Sequence, residues 1–263
     1  MKLHIKDGQE LYYEVLGNAQ SEKTLFFLNG LSQTTTSWGF VSPNFIQDYK
    51  IVLVDFVFQG NSSKEGDWRT FDHHAQDLID LADQLKLEHF IPIGLSYGSI
   101  VAQHLAVNYP SRIEKMVLLS TFAHKTPYYE AIELSWKRSL EMGGYGLMLD
   151  VMLPFVLSDN YFANPIIPID MLKSVRKDMV EAKSLQKLME ATMALKDYRP
   201  QLKKVICPTL IIHGGRDTLF PIDFGKSVAD HISNSSFVVI DEAGHTLNLE
   251  SVTTVVKYIK DFI

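Results

Sequence analysis

A serine between two glycines, placed directly after an apolar run, limits what this chain can fold into more than any other feature. The run from Phe90 to Gly94 is typical of a buried strand and leads into Gly94-Leu95-Ser96-Tyr97-Gly98, and a helical pattern follows from Ile100 through Val107. Glycines on either side allow main chain to pass close to the turn. The sequence therefore predicts a nucleophile elbow, in which Ser96 stands clear of a sheet at a helix N-terminus. The free N–H groups of that helix end suit a developing oxyanion.

Apolar runs and helical patterns alternate along the first half of the chain and again after Pro208. This order predicts a parallel sheet covered by helices on both faces. Two alternating runs around Asp7-Gly8 predict an opening hairpin. Helical material is predicted around Trp38 to Ile46, and Asp72 is the predicted N-cap of the helix that contains Ala75 to Leu85. The predicted strands are 24–28, 51–54, 90–94, 115–120, 209–213 and 236–240.

The alternation breaks between about Thr121 and Leu195, where helical patterns cover 128–142, 147–156, 170–182 and 185–195. We predict a core formed by 1–121 and 196–263, with 122–195 inserted as a helical lid. Methionine is flexible and polarizable, so this lid could mould around an acyl chain, and Met148 and Met152 are the candidates for substrate contact. The alternative for each methionine is a place in the core of the helical segment. Methionines of this segment are Met142, Met148, Met152, Met171, Met179, Met189 and Met193.

Three side chains with complementary chemistry follow three of the predicted strands: Ser96, Asp217 and His245. The carboxyl ends of parallel strands lie at one edge of a sheet, so these residues can converge there. A neutral imidazole at His245 can take the Ser96 proton during attack, and a carboxylate at Asp217 would fix the imidazole tautomer. The alternatives are a turn aspartate and a surface histidine. Rival acids are Asp223, Asp241 and Glu242.

An oxyanion intermediate needs two N–H donors beside the nucleophile. One is expected from the residue after the serine, which is Tyr97. The other is expected from the polar loop after the strand Leu25 to Leu28, and Leu31 is the candidate there. The sequence therefore predicts an oxyanion hole formed by two main-chain N–H groups.

Composition narrows the partners of the 263-residue chain. A net charge of −6 argues against nucleic acid as a ligand. Cys207 is the only cysteine, so the chain cannot form an internal disulfide. The first ten residues lack an apolar signal core, and no apolar run reaches membrane-spanning length. We predict a cytoplasmic protein that binds a small molecule, and we find no cluster of metal ligands in the sequence.

The elbow 94–98, Asp217 and Ala243-Gly244-His245, found in this order, resemble the α/β-hydrolase superfamily. The resemblance covers nearly the whole chain and implies a mostly parallel sheet flanked by helices, with an inserted helical lid. It also implies an esterase-like site that needs no cofactor.

Two loops resemble a branch of that superfamily, the 3-hydroxyacyl transferases of polyhydroxyalkanoate and rhamnolipid precursor synthesis. The loops are Asn29-Gly30-Leu31-Ser32-Gln33-Thr34-Thr35 and Asp55-Phe56-Val57-Phe58-Gln59-Gly60-Asn61-Ser62. The resemblance implies substrate contacts from Asn29 and Phe58, and an acyl thioester presented on an acyl carrier protein or CoA. The elbow of those transferases departs from Gly-x-Ser-x-Gly, whereas this chain keeps it, so hydrolysis is the default expectation.

The leading hypothesis is a serine hydrolase that cleaves an ester or thioester of an apolar acyl group through Ser96, His245 and Asp217. An acyltransferase would share the acyl-enzyme and differ in the acceptor that removes the acyl group. Enol-lactone hydrolases and carrier-protein methyl-ester esterases share the same triad, so these two activities are further alternatives. A receptor that binds a small molecule without turning it over is the alternative from another class.

Overall fold

The computed structural model describes residues 1–6, 8–177 and 180–263. Their strands form one eight-stranded sheet with the order β1-β2-β4-β3-β5-β6-β7-β8. Strands β1 and β2 pair antiparallel, β2 is antiparallel to β4, and the remaining pairs are parallel. The strands are β1 (Lys2–His4), β2 (Glu10–Gly17), β3 (Thr24–Leu28), β4 (Lys50–Asp55), β5 (Ile91–Leu95), β6 (Met116–Leu119), β7 (Thr209–Gly214) and β8 (Ser235–Ile240). The predicted mostly parallel sheet is thus confirmed; residue Asp7 of the predicted hairpin turn lies outside the described residues.

The central strands are buried along their whole length, and mostly apolar, because both faces of the sheet are covered. Every residue of β3, β5, β6 and β7 is buried. Successive side chains of a strand point to opposite faces, so Phe26 packs in one core cluster with Val52 while Phe27 packs in the other with Trp38. This arrangement explains why uninterrupted apolar runs, rather than alternating ones, marked these strands in the sequence.

Helices connect the strands and fill both faces. They are α1 (Phe71–Gln84), α2 (Tyr97–Asn108), α3 (Pro127–Val156), α4 (Asp159–Ala163), α5 (Ile169–Lys177), α6 (Ala182–Met193), α7 (Arg199–Leu202), α8 (Ile222–Ala229), α9 (Leu247–Glu250) and α10 (Val252–Phe262). Among the described residues, none of these helices is both long and apolar enough to cross a membrane.

Two local predictions had different outcomes: the first was confirmed and the second was wrong. The helical material predicted around Trp38 to Ile46 consists of two 3₁₀ turns, Thr35–Trp38 and Ser42–Phe45. Proline stands at the start of the second turn, where its missing N–H costs nothing. Helix α1 is capped by Thr70, whose hydroxyl accepts a hydrogen bond from the His73 N–H at 3.2 Å, and not by Asp72.

Helices α3 to α6 lie between β6 and β7 in the chain, where the sequence placed 122–195. Helix α3 is interrupted at Gly143 and Gly144, which have non-helical main-chain angles, so it consists of two helical stretches as the sequence indicated. Several methionines of the segment are buried, whereas Met142 and Met171 are exposed. Met179 lies outside the described residues.

Candidate active site

Ser96 lies in a strained turn between β5 and α2. Its φ is 51° and its ψ is −111°, a conformation that non-glycine residues rarely adopt. The flanking glycines are required by packing, because a β-carbon on Gly98 would collide with the main chain of Leu28 and one on Gly94 with the main chain of Gly98. The turn therefore holds the serine at the carboxyl end of the sheet, and the surrounding packing maintains the strain.

Asp217 and His245 meet in the loops that follow β7 and β8. The Nδ1 of His245 lies 2.8 Å from Oδ2 of Asp217, and both side chains are buried. The other carboxylate oxygen, Oδ1, accepts the main-chain N–H groups of Leu219 and Phe220 at 3.0 and 2.8 Å. A carboxylate held in this way accepts the Nδ1 proton, which leaves Nε2 of His245 as a free base.

A second histidine, His213, lies beside the same carboxylate. Its Nε2 is 3.6 Å from Oδ2 of Asp217 and 2.7 Å from the carbonyl oxygen of Phe220, to which it donates. Burial lowers the pKa of His213, so this imidazole stays neutral near pH 7. The charge of Asp217 is therefore not neutralised by His213 and remains available to stabilise an imidazolium at His245.

Ser96 and His245 line one small cavity of about 50 Å³. Helix α3 closes it from the side of the inserted segment, through Trp136 and Met152. The described residues that line it are Gly30, Leu31, Ser32, Gln33, Leu95, Ser96, Trp136, Met152, Val156, Leu219, His245 and Thr246. No group of three or more described His, Cys, Asp or Glu residues is placed to hold a metal ion.

Two main-chain N–H groups beside this cavity have no hydrogen-bond acceptor within the described part of the chain: those of Leu31 and Tyr97. The carbonyl groups of Gly30 and Leu31 accept hydrogen bonds from Nε2 of Gln59 at 2.9 and 3.1 Å, which fixes the orientation of these peptide planes. The side chain of Tyr97 packs away from the site against Phe71. Free N–H groups in these two positions are what an oxyanion requires.

Comparisons with known proteins agree with this fold. Residues 19–252 match the family described as "Serine aminopeptidase, S33". The chain belongs to this family. Two solved structures share the fold over the whole chain: an α/β hydrolase enzyme, MGS-M2, from a Medee basin deep-sea metagenome library (TM-score 0.89, 25% identity, 96% of that chain) and the enol-lactonase from Burkholderia xenovorans LB400 (0.91, 23%, 99%). The predicted α/β-hydrolase fold and hydrolase class are confirmed.

Curated relatives are similar over nearly their full length. The 3-oxoadipate enol-lactonase 2 of Acinetobacter baylyi (strain ATCC 33305 / BD413 / ADP1) is 25% identical over 242 residues, which cover 91% of this chain and 88% of the relative. The 2-hydroxymuconate semialdehyde hydrolase of Pseudomonas sp. (strain CF600) is 21% identical over 248 residues, which cover 91% and 86%. These relatives differ in the compounds that their names specify, so the family leaves the substrate of this α/β hydrolase open.

The four residues predicted to contact substrate differ in whether they line the cavity beside Ser96. Met152 lines the cavity beside Ser96, whereas Asn29, Phe58 and Met148 are not among its described lining residues. Met148 is fully buried in the core. Direct substrate contact by the four residues stays a prediction.

Asn29 and Phe58 both make contacts that hold parts of the fold together. The Asn29 amide donates to the carbonyl oxygen of Val54 at 2.8 Å, and its Oδ1 accepts the Trp38 indole N–H at 2.9 Å. Phe58 has a φ of 78°, and Nζ of Lys187 lies 4.8 Å from its ring centre, which joins the core to α6.

Sequence reasoning missed Glu250, which joins the histidine loop to the inserted segment. Its Oε2 accepts the N–H of Gly244 at 3.1 Å and both the N–H and the hydroxyl of Ser158, at 3.1 and 2.5 Å. On the other side of His245, Thr246 donates its N–H and its hydroxyl to the carbonyl oxygen of Val156, at 3.1 and 2.7 Å. Thr246 is therefore bonded directly to the last residue of α3, and Gly244 is linked through Glu250 to Ser158, the N-cap of α4.

Replacing Glu250 with alanine is expected to lower kcat for ester hydrolysis about tenfold while KM changes much less, because small displacements of a catalytic group are costly. The N–H of Gly244 would lose its acceptor, and the loop that carries His245 would relax. Steady-state kinetics with a melting curve measure the effect, and Glu114→Ala, at an exposed position outside this loop, is the matched control. An unchanged kcat would contradict the anchoring role.

Proposed function

We propose that the protein is a serine hydrolase that cleaves a carboxylic ester or thioester of a small molecule. Ser96 is the nucleophile, His245 the general base and acid, and Asp217 the residue that orients His245. The observation that carries the proposal is the 2.8 Å contact between His245 and Asp217 at a cavity that His245 shares with the strained Ser96.

The geometry supports a two-step reaction. His245 takes the hydroxyl proton as Ser96 attacks the carbonyl carbon, and the N–H groups of Leu31 and Tyr97 stabilise the oxyanion. The protonated His245 gives its proton to the leaving alcohol or thiol, which leaves an acyl-enzyme. Water, activated by His245 in turn, attacks this intermediate and releases the acid.

The surroundings of the site favour an uncharged, partly apolar substrate. The inserted segment supplies Trp136 and Met152 above Ser96, and we propose that it serves as the lid. The relatives named above are hydrolases, so water is the proposed acceptor of the acyl group. An enol-lactone is a second candidate, favoured by the similarity to the Acinetobacter enol-lactonase over 91% of this chain.

A series of p-nitrophenyl esters from acetate to dodecanoate tests the proposal. We expect turnover whose kcat/KM rises by about tenfold or more from acetate to a medium-chain ester, since each buried methylene contributes about 0.8 kcal/mol. Release of p-nitrophenolate is the measurement, with Ser96→Ala as the control. Turnover that is equal in the control, or absent for every ester including an enol-lactone, would contradict the proposal.

A further inference from the structure

The catalytic cavity opens beside a larger one of about 270 Å³, and both are lined by Ser32, Gln33 and Thr246. We call this larger cavity the side chamber and these three residues the neck. Most polar residues that line the side chamber belong to the loop after β3, and part of its apolar lining comes from α5. Its apolar lining consists of Phe40, Ile167, Met171, Leu172, Val180 and Leu249.

The Gln33 amide at the neck is buried and incompletely hydrogen-bonded. Its Oε1 accepts the Gly30 N–H at 3.2 Å. Its Nε2 reaches one acceptor, Oδ1 of Asn248, at 3.5 Å, which is longer than a well-formed N–H···O hydrogen bond. Only 7% of Gln33 is exposed. An amide nitrogen has two N–H groups, so a substrate oxygen at the neck would satisfy a donor that no described residue satisfies well.

Asn248 is better anchored than Gln33. Its Nδ2 donates to the carbonyl oxygen of Ser37 at 3.0 Å, besides a 3.5 Å contact with Oε1 of Gln33. Ligand binding can therefore displace the long Gln33–Asn248 contacts without releasing Asn248 from the chamber wall. Of these two amides, Gln33 therefore has the available donor.

The charge of the two cavities limits the ligand further. No lysine or arginine occurs among the described residues that line the side chamber or the catalytic cavity. A free carboxylate on the substrate would be buried there without a countercharge, which is costly, whereas a neutral carbonyl or hydroxyl oxygen would not be.

We propose that Gln33 is a specificity-determining residue that donates a hydrogen bond to a second, uncharged oxygen of the substrate. The substrate class is an ester with an apolar chain that lies in the side chamber. This chain carries an uncharged oxygen acceptor at the point where it passes the neck. This inference rests on the proposed ester hydrolysis and specifies its substrate.

The experiment is an oxygen scan. One series of p-nitrophenyl octanoates carries a keto group at carbon 3, 4, 5 or 6, and a second series of butyrate esters carries it along an octyl alcohol. For each keto ester, kcat/KM is divided by the kcat/KM of the same ester without the keto group, which we call the parent. This ratio is then divided by the ratio of the alkaline hydrolysis rates of the same two esters, which removes the difference in their intrinsic reactivity. We expect a corrected ratio of about 10 for at least one keto position, the size of one net hydrogen bond.

In Gln33→Met this ratio is expected to fall to about 1, a loss of about tenfold that corresponds to one hydrogen bond. The parent ester corrects for any loosening of the loop at Gly30, because both substrates use the same oxyanion N–H groups. Gln47→Met, at an exposed position, is the matched control and should keep the ratio.

A ratio of 1 in the wild-type enzyme in both series, or one that survives in Gln33→Met, would overturn the inference while leaving ester hydrolysis intact. Absence of Ser96-dependent turnover of the parent esters would overturn the proposed function itself.

Discussion

Ser96→Ala is expected to lower kcat for p-nitrophenyl ester hydrolysis by about 10⁴-fold or more, because the acyl-enzyme can no longer form. Residual catalysis would come from the oxyanion N–H groups and from substrate binding. The melting temperature should change little, since alanine keeps the β-carbon that already occupies this turn. Kinetics and melting curves on the same preparations measure both quantities.

Ser111→Ala is the control for this experiment, since Ser111 is exposed and far from the site in the chain. It should retain wild-type activity. A Ser96→Ala variant that retains more than a tenth of the wild-type kcat would show that another group attacks the ester.

Asp217→Asn is expected to lower kcat by about 10³–10⁴-fold, through the imidazole tautomer. The amide oxygen would keep the place of Oδ1, where the N–H groups of Leu219 and Phe220 need an acceptor. The amide N–H₂ would then face Nδ1 of His245. That nitrogen would become an acceptor, and the ring proton would move to Nε2, where a general base must have none.

Steady-state kinetics of Asp217→Asn should therefore show a loss in kcat with a much smaller change in KM. Asp241→Asn is the matched control, since Asp241 is exposed and was a rival acid in the sequence. The two other candidate acids are placed differently from Asp217. Glu242 pairs with Arg216 at 2.7 Å, and Asp223 lies in the first turn of α8. A larger loss in Asp241→Asn than in Asp217→Asn would contradict the assignment.

The sheet could be predicted because its central strands are buried on both faces. The apolar runs Leu25 to Leu28 and Phe90 to Ile93 are followed by asparagine and by glycine, so their ends are marked locally to within about two residues. The ends of neighbouring parallel strands then indicated where functional side chains would meet. The elbow motif together with this topology predicted where Ser96, Asp217 and His245 would lie.

The local sequence led to a wrong prediction where two neighbouring residues were equally suited to the same role. Thr70 and Asp72 are both good N-caps. Asp72 is used elsewhere, because its Oδ1 lies 2.7 Å from Nδ1 of His104 and accepts a hydrogen bond from Nδ2 of Asn108 at 2.7 Å. The contact of Phe58 with Lys187 in α6 was equally hidden from local signals, because the two residues lie far apart in the chain.

The neck and the anchors of His245 could not be predicted because their contacts join distant parts of the chain. Gln33 and Asn248 are separated by 215 positions, Ser158 and Glu250 by 92, and the hydroxyl of Ser120 donates to the His245 carbonyl across 125. No local pattern distinguishes such a glutamine or glutamate from a solvated one. These residues become recognisable only once the sheet has brought the loops together.

Covalent labelling with a fluorophosphonate tests the central claim most directly. Intact-mass measurement of the wild-type enzyme should show one adduct, which peptide mapping should place on Ser96. The adduct should be absent in Ser96→Ala, and it should form at least tenfold more slowly in His245→Ala, where the general base is missing. An unlabelled enzyme that still hydrolyses esters, or an adduct on another residue, would contradict the account.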